Sequence, residues 1–184
     1  MKFLKIYIFA VLLNSFGTVS VYGESSTKVA VVDVESILEN SLAIGSIKKS
    51  INELSKTIEN EISEQEKEYK KRQQELLELQ KTVSQEKFDS LVLKFNKNVS
   101  KIQKHIQQKK IALEYARSQA IEVVHQKTIS IIGDLAKKYS FDIVLPTSQV
   151  LYVKSELNIT PEVISQLNDS LKEVPINYQK FLEN

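Results

Sequence analysis

Between residues 46 and 132 the sequence holds neither a proline nor a glycine, although three prolines and four glycines occur elsewhere. These are the usual helix interrupters, at roughly 3 and 1 kcal/mol against alanine. Apolar residues recur in the stretch at helical spacing: Ile47, Ile51, Leu54, Ile58, Ile62, Tyr69, Leu76, Leu79 and Val83, then Phe88, Val92, Phe95, Val99, Ile102 and Ile106. The second set steps by alternating fours and threes, close to the 3.5-residue period of a coiled-coil seam. The pattern predicts either one unbroken helix through Ile132 or a long antiparallel helical hairpin over residues 46–133 with its tip near residues 81–85; the strands expected on either side, which should return to one sheet, favour the hairpin. Ser84 is placed to cap the returning helix, and Glu86 falls in its first turn near the positive helix end. In the first arm Ile51, Leu54 and Ile58 keep one frame, while Ile62, Tyr69, Leu76 and Val83 keep another. Such a stutter locally unwinds a coiled coil. Gln65 and Arg72 occupy seam positions, so the outer half of the arm is expected to be the looser part.

The segments flanking the hairpin read differently. Residues 28–34 (KVAVVDV) are nearly continuously apolar and predict a strand buried on both faces. Residues 35–41 predict a short helix ended near Gly45. Beyond the hairpin, residues 141–145 (FDIVL) and 149–153 (QVLYV) predict two strands, joined by a short connection into an antiparallel hairpin. Thr160-Pro161-Glu162 is a helix start: a capping hydroxyl, proline at the first helical position and a carboxylate beside the positive end. That helix carries an apolar stripe of Val163, Ile164, Leu167 and Leu171 and stops before Pro175. The residues after it have no clear assignment. Three short strands and two short helices cover little core in one chain, so the expected fold is α+β: a coiled-coil hairpin projecting from a small β-rich body that assembles by oligomerisation. The body comprises residues 24–45 and 134–184.

Residues 1–23 have the form of a cleaved export signal. Lys2 and Lys5 precede eight apolar residues, 6–13, and a more polar segment ends on Val21-Tyr22-Gly23, with cleavage expected near Gly23. Eight apolar residues are too few for a membrane span, which needs about 20. Without Lys2 and Lys5 the charges balance, but unevenly: residues 46–139 carry 19 Lys/Arg against 13 Asp/Glu. The descending arm holds Lys94, Lys97, Lys101, Lys104, Lys109 and Lys110, with no acidic residue from 90 to 113. Cysteine is absent, which excludes disulfides and thiolate metal sites. His105 and His125 have no partner at metal-ligand spacing, and no phosphate loop, nucleophile elbow or zinc-protease motif is present. The chain is not expected to be an enzyme or to need a cofactor.

This order of elements resembles the Skp (OmpH-like) periplasmic chaperones. The resemblance rests on the signal segment, the opening K-V-A-V-V-D-V strand, the charged hairpin, Ser140-Phe141-Asp142-Ile143-Val144-Leu145, the Val150–Val153 strand and the helix from Thr160 to Asn168. It spans about residues 28–168, and the residues after 168 depart from the family pattern. The resemblance implies a homotrimer with a β-barrel body and three arms enclosing a cavity. Such proteins hold unfolded outer-membrane β-barrel proteins in the periplasm without ATP. On this view Val29, Val31, Val32, Ile143, Val144, Leu151 and Tyr152 belong to the oligomerisation body. The six arm lysines are candidate contacts for clients, an anionic membrane surface or lipopolysaccharide. Phe88, Phe95, Tyr69 and Tyr115 are expected mainly as packing residues. An exported coiled-coil adaptor bridging envelope components is the alternative; it normally needs far more chain than remains here. A nucleic-acid partner is disfavoured by export and balanced total charge.

Overall fold

The computed structural model describes residues 26–182; the proposed export signal lies outside the described residues. In chain order the elements are β1 (Val29–Val32), α1 (Val34–Asn40), α2 (Leu42–Leu79), α3 (Gln85–Tyr139), β2 (Ile143–Pro146) and α4 (Thr160–Ser170). Single 3-10 turns lie at Thr147–Gln149, Ser155–Leu157 and Gln179–Phe181. The hairpin dominates: α2 has 38 residues and α3 has 55, or about 57 and 82 Å at 1.5 Å per residue.

The hairpin begins earlier than residue 46. Gly45 does not end a helix but lies inside α2. Its cost is outweighed by a cap and by burial on either side. The buried Ser41 hydroxyl accepts the Ile44 amide hydrogen at 3.3 Å, and Ala43, Ile44 and Ile47 are all buried. From α4, the Asn168 side-chain oxygen accepts the Leu42 amide at 2.8 Å, satisfying another free donor at the start of α2. At the tip, residues 80–84 form the turn, with Thr82 and Val83 amides donating to the Leu79 carbonyl at 3.0 and 3.1 Å. Ser84 occupies the cap position of α3 with extended backbone but makes no side-chain capping bond. At its other end α3 stops at Ser140, which adopts the left-handed conformation at φ 56°.

The sheet is parallel, not a hairpin. β1 pairs with β2 in register Val29 with Ile143 through Val32 with Pro146, so the whole coiled-coil arm is the crossover between two neighbouring strands. Asp142 clamps the entry: its carboxylate accepts the Lys28 amide at 2.8 Å, and its own amide donates to the Lys28 carbonyl at 2.8 Å. On the other edge of β1, Val31 forms an isolated parallel bridge with Asn158, and its carbonyl accepts the Ile159 amide at 3.0 Å. The expected third strand over residues 149–153 is not formed in the described chain. A 3-10 turn over Thr147–Gln149 redirects the backbone there, and Leu151 and Tyr152 are 108% and 82% exposed.

A second expectation is also corrected. One chain does cover both faces of β1: Ala30 and Val32 are buried in a core shared with Ile37 of α1, Leu135 of α3, and Val163 and Leu167 of α4, and Val31, on the other face of the strand, is buried outside that cluster. The Thr160 hydroxyl does not cap α4, whose N-cap position is Ile159 with no side-chain capping bond; the Thr160 amide donates instead to the Asn158 side-chain oxygen at 2.9 Å. The hydroxyl accepts the Asp33 amide at 2.8 Å, while the Asp33 carboxylate caps α1 through Ser36 at 2.9 Å. One short network thus ties β1, α1 and α4 together. What a single chain leaves uncovered lies on β2, where Ile143 is 45% and Leu145 36% exposed.

Candidate functional site

Two surfaces merit description: the upper arm and the open side of the body. Below Ile58 the hairpin is a closed seam. Ile44, Ile47, Ile51 and Ile58 of α2 and Ala112, Leu113, Ala116, Ala120 and Val124 of α3 are all buried. Alanine at three successive seam positions of α3 permits close helix approach, which raises packing density. Above that level the seam opens. Ile62, Tyr69, Leu76, Phe88, Val92, Phe95, Val99, Ile102 and Ile106 are half-buried, and Arg72 is exposed.

The boundary is marked by an ion pair across the hairpin, from Lys109 of α3 to Glu61 of α2. Higher up, Tyr69 and Phe95 stack on one another with ring centroids 4.9 Å apart, so both pack within the arm, as their seam spacing predicted. Beside this pair runs an open groove of about 340 Å³, bounded by Arg72, Asn98, Val99, Lys101 and Ile102.

The acidic residues of the upper α2 are paired mostly within α2: Glu64 with Lys67 at 2.7 Å, Glu68 with Arg72, and Glu75 with Lys71 at 3.9 Å. The lysines of α3 are treated differently. Among the described residues none of Lys94, Lys97, Lys101, Lys104 and Lys110 has an ion-pair partner. Steps of three and four place Lys94, Lys97, Lys101 and Lys104 on one stripe of the helix. Lys110 projects from another face, beside exposed Ile111, Glu114 and Tyr115. Lys109, engaged with Glu61 and with its side chain 16% exposed, is set apart from the other five. The six arm lysines therefore divide into a four-residue stripe, one structural pair and one outlier.

Of the candidate body residues, Val31 and Val32 are buried within the chain, and Val29 and Val144 are half-buried. Ile143, Leu151 and Tyr152 are exposed. A depression of about 660 Å³ lies on the same part of the molecule, lined by Val34, Leu38, Ile44, Ile121, Pro146 and Thr147 among others.

Three features had escaped sequence reasoning. The Glu61–Lys109 pair was hidden because its partners are 48 residues apart. A buckle between α3 and α4 was hidden likewise: the Glu162 carboxylate accepts from Lys138 Nζ at 3.1 Å and from the Tyr139 hydroxyl at 3.0 Å. The bond from Lys138 holds the Glu162 carboxyl below its ordinary value, and the bonds to Tyr139 and Glu162 hold Lys138 above its own. The third is the chain after α4, whose Val174 and Tyr178 are buried; its signal was the run of apolar residues around Pro175. His125 lies 3.9 Å from the Glu122 carboxylate. Among the described residues no group of three metal-ligating side chains is assembled, and no helix is long and apolar enough to cross a membrane.

Comparison with known proteins agrees with this architecture. Residues 28–167 match the sequence profile of the family described as outer membrane protein (OmpH-like). No curated protein matches the chain in sequence. Among solved structures, the chain is similar to an OmpH-like outer membrane chaperone from Caulobacter crescentus, with a TM-score of 0.75 at 14% identity. That alignment covers 81% of this chain and 88% of the other.

Proposed function

Because the chain belongs to the OmpH-like outer membrane protein family, we propose that it is an ATP-independent periplasmic holdase for unfolded outer-membrane β-barrel proteins. The observation that carries this reading is the upper arm: a half-open apolar seam beside a stripe of four unpaired lysines, held away from a well-packed root. An unfolded β-barrel protein exposes apolar segments and unpaired strand edges that aggregate by pairing with one another. A surface offering many weak apolar and cationic contacts holds such segments apart and releases them without a nucleotide cycle. The lysine stripe adds attraction to acidic segments, and to an anionic membrane surface or lipopolysaccharide at up to about 1 kcal/mol per lysine.

The proposed assembly is a homotrimer. What supports it is the open side of the body: exposed Ile143 and Leu145 on the free edge of β2, and exposed Leu151 and Tyr152 on the segment that forms no strand within one chain. An unpaired strand edge beside apolar side chains is a template for another chain, and a second copy supplies both strand and cover. Three arms would then surround one guest.

The test is aggregation of an unfolded β-barrel membrane protein diluted from denaturant, followed by turbidity with the mature chain and no nucleotide. Light scattering gives the mass of the mature chain in parallel. Suppression by a species three times the chain mass is expected. A monomer that leaves the β-barrel protein to precipitate overturns the reading.

A further inference from the structure

Residues 171–182 lie beyond the family match, which ends at 167, yet they are folded onto the arm. Leu171, Val174, Ile176, Tyr178, Phe181 and Leu182 all belong to or pack against the hydrophobic core cluster. The Phe181 ring sits 5.1 Å from that of Tyr115 on α3. Between the tail and α3 is a groove of about 290 Å³, with Ala116, Ala120 and Val123 on one wall and Val174, Pro175 and Phe181 on the other. Tyr178 is buried, and its hydroxyl has no hydrogen-bond partner among the described residues; burial first, and the charge of Glu61 second, raise its phenol. The tail therefore packs along α3.

The height at which it does so is informative. The last fully buried seam residue of α2 is Ile58, and the first of α3 is Ala112. The Glu61–Lys109 pair stands directly above them, and Phe181 reaches Tyr115 at this level. At its start the tail continues α4, which is tied to β1 through Thr160 and to the start of α2 through Asn168. A segment tied through α4 to the start of α2 at one end and packed against α3 at the other resists separation of the two helices below its point of attachment. It does nothing for the helices above.

We propose that residues 171–182 form a strap that locks the root of the hairpin and sets the level, at Glu61 and Lys109, above which the arm bends and opens. The strap acts by covering the alanine seam, which has too little side chain of its own to shield the backbone from water. Val174 and Tyr178 supply the missing apolar cover. The structural claim stands apart from the chaperone reading. Its consequence for guests, that arms open from this level and not from the body, rests on that reading.

Hydrogen exchange read by mass spectrometry on the full mature chain tests the strap. The double variant Val174→Asn, Tyr178→Ala is expected to speed amide exchange about tenfold or more in residues 47–58 and 112–124. Exchange in residues 88–106 and in β1 should be unchanged. Unaltered exchange at the root, or equal acceleration along the whole arm, overturns the proposal. Should the double variant loosen β1 as well, Phe181→Ala, which removes the Tyr115 contact and one wall of the groove on α3 but leaves Val174 and Tyr178 in place, decides by the same readout. A strapped chain that fails to suppress aggregation would sink the holdase reading and leave these exchange results untouched.

Discussion

The lower and upper halves of the hairpin share two continuous helices yet are held by different forces. In the lower half, four isoleucines of α2 meet an alanine-rich face of α3 with side chains fully withdrawn from water. In the upper half the helices persist, but the seam between them is half-exposed and interrupted by Gln65 and Arg72. There the helical state rests on intrinsic propensity and on local ion pairs three or four residues apart, each worth about 0.2–0.5 kcal/mol. Helicity and association are thus separable properties. The upper arm keeps its shape as two helices without being tightly zipped, a condition suited to a surface that exchanges one weak contact for another.

The largest expected effect breaks this comparison if it fails. Ile47 is 2% exposed, and truncating it to alanine leaves a cavity in a seam with no flexible side chains to fill it. Ile47→Ala should destabilise the chain by about 2–5 kcal/mol. Ile106→Ala, the same deletion of atoms at a half-buried site, should cost under about 1.5 kcal/mol, because part of that surface is already hydrated. Urea unfolding of both variants checks the pair. Equal costs would mean that the upper seam is as firmly closed as the lower.

That division is partly legible in the sequence. The absence of proline and glycine and the seam period were enough to mark a hairpin and the neighbourhood of its tip, although Ser84, offered there as a cap, makes no side-chain capping bond. The stutter at Ile62, with Gln65 and Arg72, marked the looser half. Gly45 misled because propensity is local, whereas the Ser41 cap and the Asn168 bond to Leu42 that outweigh it come partly from 126 residues away. The strand at 143–146 was legible by composition, but its partner was not. Apolar runs do not distinguish parallel from antiparallel neighbours, and the nearness of residues 149–153 suggested a hairpin that the 3-10 turn at Thr147 prevents. The strap was invisible for another reason: residues 171–182 bury side chains without a repeating period, so no helix or strand template detects them.

A smaller effect sharpens the functional side of the comparison. If the upper arm of the proposed holdase works in part through charge, reversing Lys94, Lys97, Lys101 and Lys104 to glutamate should weaken capture of an unfolded β-barrel protein by about tenfold at low salt. The difference should shrink as salt rises, because exposed charges are screened beyond about 10 Å at 0.1 M. Reversing Lys109 instead should act on stability, since that side chain is committed to Glu61. Capture that is unaltered by the four-residue reversal and indifferent to salt would remove electrostatics from the mechanism and leave the apolar seam to act by itself.

The smallest effect lies at the opposite end of the molecule, in the buckle between α3 and α4. Glu162 has its carboxyl lowered from the ordinary value of 4.5, chiefly by the bond from Lys138. A depressed carboxyl contributes stability that is fully present above its unfolded value and fades as pH falls through the folded one. Lys138 is raised from 10.5 by Tyr139 and Glu162, so its contribution is complete at neutral pH and fades only as pH rises through that higher value. Glu162→Gln keeps an oxygen to accept from Lys138 and Tyr139 but removes the charge. The stability gap between parent and variant should therefore be constant from about pH 6 to pH 9, narrow as the pH falls through 4.5, and close only once it has passed the lowered folded value, where the folded parent carboxyl becomes neutral too. Both partners are solvent-exposed, so the gap itself is small. Its value is positional: hydrogen exchange should register the change in α4 and the last turns of α3 while the upper arm stays indifferent. An arm that responded as strongly as α4 would mean that the two halves of the hairpin are mechanically one.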